Sequence, residues 1–367
     1  MHVSIIGGGI MGLSIARALS KKGIEVYLYE QSTIPNPKGS SCDDHRLIRY
    51  PYGNQSGYML MVREAYAAWK SVWDDIGSIH YAQTGTLVTS QTGTGWAKDS
   101  LEALTEAAIP FNRLNESQLR ARIPLLELKG VKLAYYLESG GVLFARRILA
   151  SLKDYLLKKQ VTIQELTKIR SIDSEHQRLH TESGDSFAFE HLIITAGPWT
   201  KDLIPGISVT PSQQTVYYLD VPEQDLPTWQ QAPMLLDIDP GSGFYLVPPV
   251  AGLGLKLGDH RFTLQGHPDL PTQTRHPTPE TRHADGHAHL TDSEAINLRY
   301  PIAYPKTCFY TVANNEEFLY KQEQNIHILT GFSGHGFKFG PVIGDRFAEV
   351  LTGGLEGAVF SKWLGGK

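Results

Sequence analysis

Gly7, Gly9 and Gly12 stand in the pattern Gly-x-Gly-x-x-Gly directly after a short apolar run, and Glu30 closes the next apolar run. That spacing suits a pyrophosphate. Gly7 permits a tight turn, Gly9 lets the backbone approach the phosphates, and Gly12 allows close helix–strand packing. The helix that follows offers unpaired N–H groups and the positive end of its dipole. Glu30 is placed to hydrogen-bond an adenosine ribose, so the set reads as an adenine-dinucleotide site, with NAD and FAD both open. The chain also carries two cysteines, Cys42 and Cys308, too few to staple 367 residues. Each is therefore either a small buried hydrophobe or a thiol with a chemical task. His267, His276, His283, His287 and His289 gather in a stretch that also holds Pro268, Pro271, Pro277 and Pro279. No cysteine accompanies these histidines, and the prolines oppose a regular helix that would align the imidazoles. A solvated surface loop is expected there, and no metal.

The elements that must position these residues follow from periodicity. His2–Ile6 is a short buried strand, Leu13–Lys21 has helical character, and Ile24–Tyr29 is a second strand ending at Glu30. Strand, glycine turn, helix, strand and acid is the βαβ order of a dinucleotide site. The spacing predicts helices over Met59–Ile76, Arg146–Lys159 and Val342–Leu351. Trp69 and Trp73 of the first are read as core. Core strands are expected at Val161–Leu166, Leu192–Thr195 and Ile326–Thr330, and antiparallel strands at Gln213–Leu219, Met234–Leu236 and Gly243–Val247. Dinucleotide-type elements thus lie at both ends and in the middle, with β-rich insertions between. The expected fold is mixed α/β (α+β): a Rossmann-type cofactor domain from residues 1–80, 143–205 and 310–367, and an antiparallel-sheet substrate domain from 81–142 and 206–309.

Composition narrows the function. Hydrophobic residues make up 41% and charged residues 20%, ordinary globular values. The net charge of -4 supplies no basic field for nucleic acid or anionic lipid. No apolar run is long enough for a membrane span. Val3–Ala16 lacks a basic flank and is broken by glycines, which is unlike a secretory leader. A cytoplasmic protein is expected.

The second half of the chain holds Gly254-Leu255-Lys256-Leu257-Gly258, Cys308-Phe309-Tyr310-Thr311 and Gly331-Phe332-Ser333-Gly334-His335-Gly336-Phe337-Lys338-Phe339, with Arg46-Leu47-Ile48-Arg49 upstream. In this order they resemble the monomeric sarcosine oxidase and N-methyltryptophan oxidase group of the D-amino-acid-oxidase-like flavoproteins, over essentially the whole chain. The resemblance implies an FAD enzyme that oxidises the C–N bond of an amino acid or amine, often secondary. Electrons pass to O2, giving H2O2 and an imine that hydrolyses. It also implies a monomer. Cys308 matches the position of the covalent cysteinyl link to the flavin. Lys256 corresponds to a lysine near flavin N5, where a fixed cation stabilises nascent superoxide; without the resemblance it reads as the solvent-facing member of an alternating strand. Arg49 and Lys338 look like the pair that binds a substrate α-carboxylate, and Arg46 like a cation near the flavin. Gly334, His335 and Gly336 match a turn whose backbone N–H groups face the flavin's electron-rich end. Tyr245, His260 and Tyr310 match positions lining the substrate side.

One stretch departs from the family. Its pattern runs His-Gly-Asp-Thr-Arg, and this chain has Cys42-Asp43-Asp44-His45-Arg46. Cys42 is expected near the flavin ring, as an inert, reactive or competing thiol. Two other readings stand beside the oxidase: a flavin dehydrogenase that uses another acceptor, and a flavoprotein without turnover that serves as a partner.

Overall fold

The computed structural model describes residues 1–238, 243–259, 261–270, 296–297 and 300–367. A six-stranded sheet runs in the order Thr162–Gln164, Glu25–Tyr29, His2–Ile6, His191–Ile194, Ile326–Thr330, Leu319–Glu323. Its first five strands are parallel, and the last pairs antiparallel at the edge. A parallel sheet must be covered on both faces, and Val3, Ile5, Leu192, Ile193, Ile194 and Ile328 are all buried. One face carries helices Ile10–Lys21, Ala145–Lys158 and Gly340–Leu351. Gly344 lets the third approach the first, since a Cβ there would lie 2.6 Å from the backbone of Ser14. The other face packs Tyr29 and Ile194 against Ile169, Leu179 and Phe189, which belong to or flank a three-stranded antiparallel sheet.

An eight-stranded sheet forms the second layer system, in the order Ile302–Ala313, Val209–Leu219, Leu255–Asp259, Phe244–Val247, Met234–Asp237, Thr86–Ser90, Leu133–Leu137, Asn112–Arg113. It is antiparallel except where Met234–Asp237 pairs parallel with Thr86–Ser90, a junction between sequence-distant pieces that alternation alone does not reveal. The strand Leu255–Asp259 is buried almost throughout. Leu255 and Leu257 enter a core with Trp229, Leu235, Phe244 and Leu246. By the two-residue period of a strand, Lys256 and Gly258 face the opposite side. A third small sheet, His45–Ile48 with Gly141–Phe144 and Tyr81–Gln83, sets the arginine-bearing segment against the rest. No described helix is long and apolar enough to cross a membrane.

Candidate active site

The glycine turn has the geometry its spacing predicts at Gly7 and Gly12. Gly7 has φ +107°, and a Cβ there would lie 2.5 Å from the Thr195 carbonyl oxygen. A Cβ on Gly12 would run into the Gly7 carbonyl. Gly9 ends the strand side of the turn and its carbonyl accepts from Leu13 N at 3.0 Å, starting helix Ile10–Lys21. Glu30 is buried, and its carboxylate accepts from Gly8 N at 2.7 Å, Ser32 N at 3.0 Å and Asn36 Nδ2 at 2.9 Å. Burial raises its pKa even though these donors oppose the shift.

From this turn a cavity of about 400 Å³ runs past Ser41, Cys42, Ala196 and Gly197 to Arg46, Tyr310, Gly334, Gly336 and Phe337. A smaller chamber of about 90 Å³, as bounded by the described residues, holds Arg49, Tyr245, Lys256, His335 and Lys338. Arg46, Tyr310, Gly334 and Phe337 line both, so they form the wall between the two spaces. Gly334, with φ +78°, is required there: a Cβ would lie 2.5 Å from the Tyr310 ring. At Gly336 a Cβ would lie 2.6 Å from that of Phe332.

In the smaller chamber two cations are buried without a carboxylate partner among the described residues. Arg49 donates to the Pro51 carbonyl and lies over the rings of Tyr52 at 4.6 Å and Trp96 at 5.3 Å. Lys338 Nζ donates to Tyr52 Oη and to the His335 carbonyl, both at 2.8 Å. Burial pushes the Lys338 ammonium well below the usual lysine range, and the Arg49 and Arg46 guanidinium groups add to the effect. Burial also lowers Arg49. Arg49 is 8% exposed and forms no salt bridge among the described residues.

A second cation group, around Asp43, is compensated. Asp43 is 1% exposed, and its Oδ2 lies 2.5 Å from Arg46 Nη1 and 2.5 Å from Lys256 Nζ. Oδ1 lies 3.2 Å from Lys306 Nζ and accepts from Tyr218 Oη at 3.0 Å. Burial works to raise the Asp43 carboxyl, but Lys256, Arg46 and Lys306 overcome it and hold the group well below the usual range. Arg46 also donates to the carbonyls of His45 at 2.9 Å and Ser40 at 2.6 Å. His45 is fully buried and stacks on Tyr218, with Nδ1 3.3 Å from its hydroxyl. Burial, then Lys256, pushes His45 down to about 3, so it is neutral. Lys256 is 3% exposed, so the solvent-facing reading of the alternating strand does not hold.

Cys308 is buried on the strand Ile302–Ala313, two residues from Tyr310 and so on the same strand face. Cys42 lines the larger cavity, whereas Cys308 does not. Burial pushes both thiols up. The His335 N–H is already spent on the Phe332 carbonyl at 3.0 Å, and its ring packs among Tyr52, Tyr58 and Phe318. His335 therefore offers no free backbone donor. Tyr245 spans Gly258 and lies 5.9 Å from Lys256 Nζ. His260, and the histidine stretch after His267, lie outside the described residues. His267 itself pairs with Asp202 at 2.9 Å. Sequence reasoning missed Asp43 as the hub, Tyr218 and Lys306 as its partners, and Tyr52 beneath Lys338. The one available signal was the carboxylate in the stretch that departs from the family.

A positive-φ glycine turn at a helix start, a buried acid beyond it and a cationic chamber at the far end define a dinucleotide-dependent redox protein. The FAD dependent oxidoreductase family model matches residues 2–350, and the chain belongs to this family. It is similar to the monomeric sarcosine oxidase of Arthrobacter sp. (strain TE1826), 25% identical over 96% of this chain and 93% of the relative. It is also similar to the human peroxisomal sarcosine oxidase, 27% identical over 94% of this chain and 90% of that one. Among solved structures, L-proline dehydrogenase from P. horikoshii superposes with a TM-score of 0.78 at 19% identity, over 97% of this chain and 94% of that one. The cavity fits FAD: side chains are excluded at Gly7 and Gly12, and the space ends at the Arg46 guanidinium, a cation suited to an electron-rich ring.

Proposed function

We propose that this protein oxidises the C–N bond of a small amino acid, secondary or N-methyl in kind, with FAD in the larger cavity and O2 as acceptor. The observation that carries this is the pair Arg49 and Lys338: two buried cations, one wall from the cofactor space, with no carboxylate paired to them among the described residues, Asp259 of the same chamber accepting instead from Arg261 N at 2.8 Å. A bound α-carboxylate supplies the missing charge, and the Arg fork and Lys point charge fix its two oxygens. That anchoring presents the Cα–H to the wall made by Tyr310 and Gly334. FAD supplies the acceptor for a hydride from that carbon. The surrounding positive charge favours the neutral amine, the form that can release hydride. Tyr245 and Tyr310, both held as phenols by burial, close the pocket without adding charge.

Cys308 is the proposed covalent link to FAD; its burial on the strand face shared with Tyr310 supports this, and yellow colour retained in an acid precipitate tests it. The function is tested by anaerobic bleaching of bound flavin with N-methyl, cyclic and primary amino acids, each beside its decarboxylated analogue. Bleaching by the acids and not the analogues is expected. Equal bleaching by both removes the carboxylate assignment.

A further inference from the structure

We propose that Asp43 is an internal counter-ion that occupies Lys256 and thereby restrains the reaction of reduced FAD with O2. This rests on the FAD site, not on the identity of the amine. Lys256 is the one cation on the inward face of its strand, and it reaches the smaller chamber beside the shared wall. Its ammonium lies 2.5 Å from Asp43 Oδ2, with the His45 carbonyl the only other acceptor among the described residues, at 3.5 Å. Asp43 holds this geometry firmly: Arg46, Lys306 and Tyr218 fix the carboxylate from three other directions. A cation whose field is cancelled by a carboxylate at contact distance attracts an incoming electron-rich oxygen species less than a bare one does. Asp43 touches no reacting atom in this scheme, so it is a positioning residue acting through Lys256.

In the restrained step O2 takes two electrons from the reduced ring and two protons, one from flavin N5 and one from solvent, and leaves as H2O2. The ring returns to its oxidised form. No further reductant or oxidant enters.

The test uses FAD-loaded protein reduced with dithionite and no amine, mixed with aerated buffer in a stopped-flow instrument. Asp43→Asn is expected to reoxidise at least tenfold faster than wild type. In a Lys256→Met background the same substitution is expected to change the rate less than twofold. Asp43→Asn leaves Arg46 and Lys256 without a carboxylate among the described residues, while Lys306 keeps Asp44 at 3.5 Å, so the charge-conserving Asp43→Asn/Lys306→Met variant accompanies it and is expected to show the same acceleration. An independent readout is sulfite, whose lone pair bonds to flavin N5 and leaves the negative charge on the ring. Its affinity is expected to rise at least fivefold in both Asp43 variants. Unchanged or slower reoxidation in both Asp43 variants overturns the proposal, as does acceleration that survives Lys256→Met or an unchanged sulfite affinity. Because no amine is present, these outcomes are separate from the fate of the amino-acid assignment, which the anaerobic bleaching series decides.

Discussion

Two groups of cations meet at the smaller chamber and are handled in opposite ways. Arg46, Lys256 and Lys306 converge on Asp43, a carboxylate the chain itself supplies. Arg49 and Lys338 are given aromatic faces, a hydroxyl and carbonyls, with no carboxylate among the described residues. Burying a charge is costly unless it is paired. The first group meets that cost inside the fold and so is structural as well as functional. The second leaves it unmet, which is tolerable where a ligand completes the site. The difference supports the proposal that the substrate anion binds at the second group.

The sharpest way to break this comparison is to reverse the stability of the two groups. Asp43→Asn leaves buried cations uncompensated and is expected to cost about 3–5 kcal/mol, read as a large fall in the apparent melting temperature of the holoenzyme. Arg49→Met removes a cation that has no carboxylate and is expected to raise stability by about 1 kcal/mol. Equal destabilisation by both would mean that Arg49 has a structural partner after all. The next effect is catalytic. Arg49→Met is expected to lower kcat/KM about 100-fold, the value of roughly 3 kcal/mol for a charge-assisted pair, while the protein keeps its flavin. Loss of flavin instead would place Arg49 with the cofactor.

The boundary between what was legible and what was not runs along the same two groups. The glycine turn and Glu30 are local, within one βαβ unit, so spacing alone located them. The helix periods placed Ser56–Ile76, Ala145–Lys158 and Gly340–Leu351 to within a few residues at each start. Arg49 and Lys338 stand in motifs far apart in sequence, and the fold brings them into one chamber. Asp43 was not legible, because its partner Lys256 is 213 residues away, and the contact exists only once two sheets meet. Lys256 itself misled by alternation. That rule presumes one wet face, and here both faces of the strand are covered. The strand His45–Ile48 was missed because it is short and half its residues are polar.

A smaller effect sharpens the comparison through pH. Burial and the neighbouring guanidinium groups hold Lys338 well below the usual lysine range. A bound carboxylate favours its charged form, so above the free-site pKa, binding must take up a proton. Acetate binding, followed by the visible spectrum of the flavin, is therefore expected to weaken up to about tenfold per unit as pH rises past that value. Lys338→Gln is expected to bind acetate more weakly and with a flat profile. A pH dependence that persists in the variant would assign the ionisation to another group.

The smallest effect asks whether the second cation pair is held from outside the chamber. Trp69 is a core residue by burial and stacks on Trp73 at 4.8 Å, but its indole Nε1 also donates to the Lys338 carbonyl at 2.8 Å. Helix Ser56–Ile76 thus fixes the backbone of Lys338 from behind, while Tyr52 and His335 hold its ammonium from the front. Trp69→Phe keeps most of the ring packing and removes only the donor, at a cost of about 1 kcal/mol. If that bond positions Lys338 for ground-state binding, KM for the amino acid rises about fivefold and kcat changes little. A fall in kcat with KM unchanged would place the strain at the reacting carbon instead. The first outcome makes the core beneath the chamber part of its carboxylate recognition, in the way that Asp43 is part of the neighbouring group.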